Sequence, residues 1–336
     1  MIYQNQNDQA EFDGTHRKAY SKPELSHFAR ALSYPEVKLF ISASESLREG
    51  HDERAIRLFR KAVKHDKEFY DGWFMWGFLA LVKNQVEVAK QAFLHILQSK
   101  KSFEGIYIVK FLPDLSIKVN LFENFPVRVM PTTPEVAAIL ARIYLIEGKP
   151  REAKKIIHPA YLRYPKNSAI RIVWAQSMID DDNPGEVIDE IDKSLNYHRG
   201  DNELDLLVTW HVGKAYLHVG DFRSGIFHLE SVLHFAKDKN PRLIDRFRTL
   251  TAQEYESKGY LLDTLEILNE VGDKSADYGR GITIGGKIRS LTETINKQRE
   301  QGIFRNLKFQ DYERIQVREK ARRFLELKKC SEPDSV

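Results

Sequence analysis

The chain has one cysteine, Cys330, so no internal disulfide can form, and a free thiol in a reducing compartment is the expectation. It lacks any apolar run of about 18 residues or more; its richest stretch, residues 73–82, is far too short to span a bilayer. The first residues, Met-Ile-Tyr-Gln-Asn-Gln-Asn-Asp, lack the apolar segment of a secretory signal, which makes a cytoplasmic location the expectation. Catalytic and metal patterns are also missing. There is no His-Glu-x-x-His helix, no Cys/His pair at zinc spacing, and no defensible order of nucleophile and base, because Cys330 sits in a polar tail. No catalytic residue, cofactor or metal site is assigned, and the chain is not expected to be an enzyme.

What is present is periodicity. Trp73-x2-Trp76-Gly77-x2-Ala80 is followed by a turn residue, Asn84, and by Ala89-x3-Phe93. The same alternation of large and small residues returns along most of the 336 residues. A unit from Glu36 places Ala43, Gly50, Ala55, Phe59 and Ala62 at the equivalent positions. One from Pro134 places Leu140, Ala141, Tyr144, Gly148, Ala153, Ile157, Ala160 and Pro165 there. Weaker copies begin at Ser168 (Trp174, Ala175, Met178), near Leu206 (Val212, Gly213, Tyr216, Gly220, Gly225, Leu229) and near Asp245 (Ala252, Tyr255, Gly259, Leu268). A period near 34 residues means stacked helical hairpins, each burying its apolar face against the next.

This pattern resembles the tetratricopeptide repeat family over residues 36–272, apart from one gap. The resemblance implies an all-α, right-handed solenoid of helix-turn-helix repeats. The expected organisation is a flexible N-terminus at 1–20, a flanking helix at 21–35 and two repeats at 36–101. A degenerate repeat or insertion at 102–133 and four repeats at 134–272 follow. A Gly-rich linker at 273–286, basic capping helices at 287–329 and a tail at 330–336 complete the chain. Residues 102–133 read two ways. Leu-Ser-Ile-Lys-Val-Asn-Leu-Phe alternates like a strand, yet Leu115, Val119 and Phe122 also share a helical face; short helices of a degenerate repeat are the preferred reading over a β-hairpin.

The resemblance also implies a concave groove lined by the second, fifth, ninth, twelfth and thirteenth residues of each unit, where a protein or peptide partner would sit. On this chain the fifth and ninth positions include Phe40, Phe74, Phe78, Arg142, Gln176, Trp210 and Lys214. The aromatic ones would anchor apolar side chains; Arg142 and Lys214 would steer an acidic stretch. Trp73 and Trp76 fall at packing positions instead. Family members that clamp a chaperone's C-terminal carboxylate carry Lys and Asn where Phe40 and Ser44 stand, so that partner is not expected. The function implied is a non-enzymatic scaffold, adaptor or assembly factor.

An alternative is a regulatory protein whose solenoid senses a peptide or protein and whose basic C-terminal helices contact nucleic acid. Residues 287–329 hold 13 Lys/Arg and 6 Asp/Glu, net +7, so the rest of the chain, at net +4 overall, carries −3. Interleaved acids and the lack of an aromatic series favour a solvated capping role. Three further patterns fall short. Residues 281–287, Gly-Ile-Thr-Ile-Gly-Gly-Lys, spell most of a phosphate loop, but Ile288 stands at the magnesium position and no buried strand precedes them. Asp180, Asp181 and Asp182 miss the calcium-loop spacing, since Pro184 and Ile191 stand where ligands are needed. His211, His218, His228 and His234 share one repeat without a ligand spacing.

Overall fold

The computed structural model describes residues 32–99, 101–115, 117–122, 125–192, 203–237, 240–279, 281–301 and 304–331. The flexible segment expected at 1–20, most of the flanking helix expected at 21–35 and the end of the tail, 332–336, lie outside these residues. The described chain is helical apart from two short β-hairpins, and it divides into two compact units, residues 1–174 and 175–336.

Unit 1 begins with hairpin α1 (Pro35–Arg48) and α2 (Asp52–His65), then α3 (Tyr70–Val82) and α4 (Val86–Leu97). A short helix α5 (Ile106–Phe111) and strands β1 (Lys118–Phe122) and β2 (Phe125–Arg128) follow. The unit continues with α6 (Thr133–Ile146), α7 (Pro150–Arg163) and the first half of α8 (Ser168–Asp180). Each helix of the series α1–α4 packs on the next, α4 packs on α6, and α6 on α7. Unit 2 holds α9 (Pro184–Ile191), α10 (Glu203–His218), α11 (Phe222–Lys237), α12 (Pro241–Ser257) and α13 (Leu261–Glu270). Strands β3 (Asp277–Gly279) and β4 (Ile282–Thr283) precede α14 (Ile284–Glu300) and α15 (Phe304–Ser331). Here α9 through α13 pack in sequence, α14 lies on α13, and α15 lies on α11 and α13.

Six turns close in one way. Gly50, Asn84, Gly148, Asp182, Gly220 and Gly259 have φ of +76°, +58°, +70°, +61°, +88° and +75°. In each, the next amide reaches back to a carbonyl five residues earlier: His51 to Ser46, Gln85 to Ala80, Lys149 to Tyr144, Asn183 to Met178, Asp221 to Tyr216 and Tyr260 to Tyr255. This is the left-handed helix cap that satisfies the last carbonyls, and Gly or a short polar side chain tolerates it best. Between the paired helices, small residues permit close approach. A Cβ on Gly77 would lie 3.0 Å from both Ala92 Cβ and the Phe93 ring, so α3 and α4 meet at backbone distance there.

Two segments differ from expectation. Residues 102–133 are not a degenerate helical repeat: after α5, β1 pairs antiparallel with β2, Val119 opposite Val127 and Lys118 opposite Arg128. Val119, Asn120, Leu121 and Phe122 are all buried, so both faces of β1 are covered within the unit, which an extended strand paired to β2 allows. The Gly-rich stretch 273–286 is not a plain linker either. It forms the β3–β4 hairpin and the first turn of α14, where Thr283 Oγ1 accepts from the Gly286 amide at 3.1 Å.

Candidate functional site

The phenylalanines expected to line a groove in unit 1 are internal. Phe40 and Phe74 are fully buried, and Phe78 is 3% exposed. Phe40 meets Phe59 and Phe69 edge-on at 5.1 and 5.6 Å; Phe74 lies 5.7 Å from Phe103, 6.0 Å from Phe93 and 6.4 Å from Phe78. The physical reason is the inserted segment. It brings Phe103, Tyr107 and Phe111, spaced every four residues, onto this face: Tyr107 sits 5.3 Å from Phe69 and 6.4 Å from Phe40, and Phe111 6.5 Å from Phe40. The chain's own aromatic side chains cover the surface assigned to a partner's.

Asp71 fastens that segment. Helix α5 starts at Gly105, which has no capping side chain, and Asp71 Oδ1 on α3 accepts the amides of Tyr107 at 2.8 Å and Ile108 at 3.0 Å instead. Burial pushes the Asp71 carboxyl up to about 6, against the pull of those amides. On the outer side, Ile106, Val109 and Met130 are about half-exposed (50%, 48% and 49%). Ile106 adjoins Gly105 and Met130 adjoins Pro131. A Cβ on Gly105 would lie 2.4 Å from the Pro131 ring, so these apolar side chains flank one backbone contact.

The other expected groove residues are also engaged. Arg142, on α6, is half-buried. Gln176 is buried on α8 and donates through Nε2 to Asp180 at 2.5 Å. Trp210 is buried on α10, its indole donating to Thr251 at 3.3 Å, and Lys214 lies 5.6 Å over its ring. Lys214 Nζ is 3.6 Å and His218 Nε2 3.2 Å from the carboxylate of Glu254. Burial raises the Glu254 pKa, but the His218 hydrogen bond and the Lys214 charge outweigh it and hold the carboxyl below its usual range. The aromatic anchors and the steering cation on these helices are therefore spent on contacts within the unit.

The four histidines do not converge. His211 is buried with Nδ1 2.8 Å from the Leu207 carbonyl, His218 faces Glu254, and His228 stands between the Ser224 carbonyl at 2.7 Å and Asp192 at 3.2 Å. His234 packs on Phe235 at 5.3 Å. At residues 281–287 the amides a phosphate would need are taken: Ile284 donates to Ala276 O, Gly285 to Lys274 O, and Gly286 to Thr283. Lys287 pairs with Glu256 and lies 5.4 Å over the Tyr278 ring.

Three arginines of the basic C-terminal segment are likewise turned inward, while Lys297, Arg299, Lys320 and Arg323 are exposed. Arg318 Nε is 3.1 Å from Glu230, and its Nη1 is 3.0 Å from both Asp263 and Glu266. Arg314 Nε is 3.1 Å from Asp263, and Arg322 bridges Glu230 at 2.7 Å and Glu270 at 3.3 Å. Residues 175–286 carry 12 Lys/Arg against 21 Asp/Glu, net −9, and 287–336 carry 13 against 8, net +5, so the C-terminal residues offset part of the acid of their own unit, which stays at net −4. Unit 1 holds 27 Lys/Arg and 19 Asp/Glu, net +8. The uncompensated positive charge of the protein is there, where sequence reading did not place it.

No protein-family model matches the chain. Comparison with curated proteins finds no relative. Among solved structures, the N-terminal domain of the EccA1 ATPase from the ESX-1 secretion system of Mycobacterium tuberculosis is similar. Its TM-score is 0.50 at 14% identity, over 78% of this chain and 90% of that one. The APC/C hetero-tetramer Cut9–Hcn1 is also found, with a TM-score of 0.44 at 14% identity over 74% of this chain and 42% of that one. With its six identical hairpin turns, the chain has a tetratricopeptide-like, all-α repeat fold. No helix among the described residues is long and apolar enough to cross a membrane.

Proposed function

We propose that the protein is a non-enzymatic scaffold or adaptor that holds a segment of a protein partner, and that unit 1 makes the contact through the outer surface of its inserted segment. The observation that supports this is the trio Ile106, Val109 and Met130, apolar and half-exposed around one backbone contact. Folded chains bury such side chains where they can, and an apolar patch on a rigid support serves as an interface anchor. The support is rigid because Asp71 caps α5 and the aromatic cluster beneath clamps it.

The test is recovery of partners by affinity purification with wild type and with a variant carrying Ile106→Asp, Val109→Asp and Met130→Asp. Loss of a specific partner at unchanged melting temperature supports the reading; an unchanged partner set overturns the site. Phe74→Ala plus Phe78→Ala is not a substitute, because it hollows the core.

A further inference from the structure

Helix α2 is strongly one-sided. Ala55, Phe59, Ala62 and Val63 are buried, while Arg54, Arg57, Arg60, Lys61 and Lys64 are all exposed. From Arg54 to Lys67 the sequence has six Lys/Arg and a single acid, Asp66. Arg54, Arg57, Lys61 and Lys64 recur three and four residues apart, so at about 1.5 Å per residue they form one row on the order of 15 Å long. None of these four has an ion-pair partner among the described residues, in contrast to Arg314, Arg318 and Arg322. An unpaired row of this kind repels itself, and nothing in the helix packing needs it.

Beside the row lies a locked aromatic cluster. Arg60 stands 5.9 Å over the Trp76 ring, Trp76 is 5.3 Å from Trp73, and Trp73 is 4.3 Å from the His95 ring. Trp73 Nε1 donates to the Lys67 carbonyl at 2.9 Å, and His95 Nε2 lies 2.7 Å from the same oxygen. One backbone carbonyl thus fixes both rings. Trp73, Trp76 and His95 are each partly exposed, unlike Trp174 and Trp210, which are buried.

We infer that this surface, the α2 cation row with the Trp73–Trp76–His95 cluster at its edge, binds single-stranded nucleic acid. Cations in a row meet successive phosphates, and preset aromatic rings accept bases by stacking without reading sequence. An acidic polypeptide would satisfy the cations but has no use for the rings. The site shares no residue with the Ile106, Val109 and Met130 surface, so it adds an activity to the scaffold.

The experiment is fluorescence anisotropy of the full chain with labelled 15-nucleotide oligo(dT) and oligo(U) at several salt concentrations, alongside intrinsic tryptophan fluorescence. The surface predicts binding at low salt, with a log–log salt slope of about −3 for four phosphate contacts, and quenching of tryptophan emission. Arg57→Glu, Lys61→Glu and Lys64→Glu together, all exposed, should leave the melting temperature unchanged and weaken binding at least about tenfold. Trp76→Leu should weaken binding while leaving the salt slope unchanged. Three results overturn the inference: no retention of either oligonucleotide at low salt; binding untouched by the triple charge change; or equal affinity for poly-glutamate with no effect of Trp76→Leu. The last would assign the face to an acidic protein segment.

Discussion

The carboxylate of Asp71 accepts the backbone amide of Tyr107 at 2.8 Å across 36 residues of chain, and with it closes the open end of a helix that has no cap of its own. Together with the packing of Phe103, Tyr107 and Phe111, this contact joins the repeat scaffold to its insert. Because the carboxyl is buried, it also makes the junction sensitive to pH.

Burial raises the Asp71 pKa from 3.8 to about 6, so the folded chain binds this proton more tightly than the unfolded one. Stability from this group therefore increases as pH falls from above 6 toward 4, and at pH 8 the cost of the buried charge is fully present. The shift corresponds to about 3 kcal/mol at most. Asp71→Asn keeps the acceptor and should remove that pH dependence, read as the difference between the two melting curves from pH 4 to 8. Asp71→Ala leaves two amides of α5 without a partner and should cost about 1–3 kcal/mol at any pH.

Arg318 sits 3% exposed among Glu230, Asp263 and Glu266. Arg318→Ala strands buried carboxylates and should destabilise by about 3–5 kcal/mol. Added salt should do far less harm than to an exposed pair, since a buried network is poorly screened. Chemical denaturation of both proteins at low and high salt would check this; an Arg318→Ala chain as stable as wild type would contradict the latching of α15.

Gly77 and Gly148 should respond to Ala for different reasons. Gly148 has φ +70° with open space around its Cβ, so Gly148→Ala meets backbone strain alone, about 1 kcal/mol. Gly77→Ala gains helix propensity of about 1 kcal/mol but pushes on Ala92 and Phe93, and overpacking at about 1–3 kcal/mol should win. Thermal denaturation of the two variants decides it: Gly77→Ala should melt below wild type despite the better helix former.

Phe74→Ala should cost about 3–5 kcal/mol, because a fully buried ring surrounded by Phe78, Phe93 and Phe103 leaves a cavity. A drop in melting temperature with full partner recovery at low temperature is the expected outcome.

Much of the scaffold was legible in advance. The large-small code is local, and each hairpin repeats one solution to helix packing, so Gly50, Asn84, Gly148, Gly220 and Gly259 could be recognised as turns from their place in the period. The fourth turn illustrates the limit. Asp182 takes the left-handed position, while Gly185, three residues on, lies inside α9. The candidate site was far less legible. The repeat register put Phe40 on the first helix of its hairpin and Phe74 and Phe78 on the first helix of theirs, where they lie. It carried no information that residues 103–111 fold back over them. The five exposed cations of α2, with Lys67 just beyond it, stand in the sequence as a run of six with one acid, but whether such a run is paired or free depends on contacts the sequence does not show.

The sequence by itself determined the period, the helical hairpins and their turns, because these rest on interactions within about 34 residues of chain. Only the tertiary structure decided which side chains face a partner. Phe74 lost its exposure to Phe103, and the Arg318 guanidinium is paired with Glu230, 88 residues away. Exposure and charge compensation depend on contacts between distant segments. Those contacts hid the residues that the local pattern nominated, leaving Arg57, Lys61 and Ile106 at the surface.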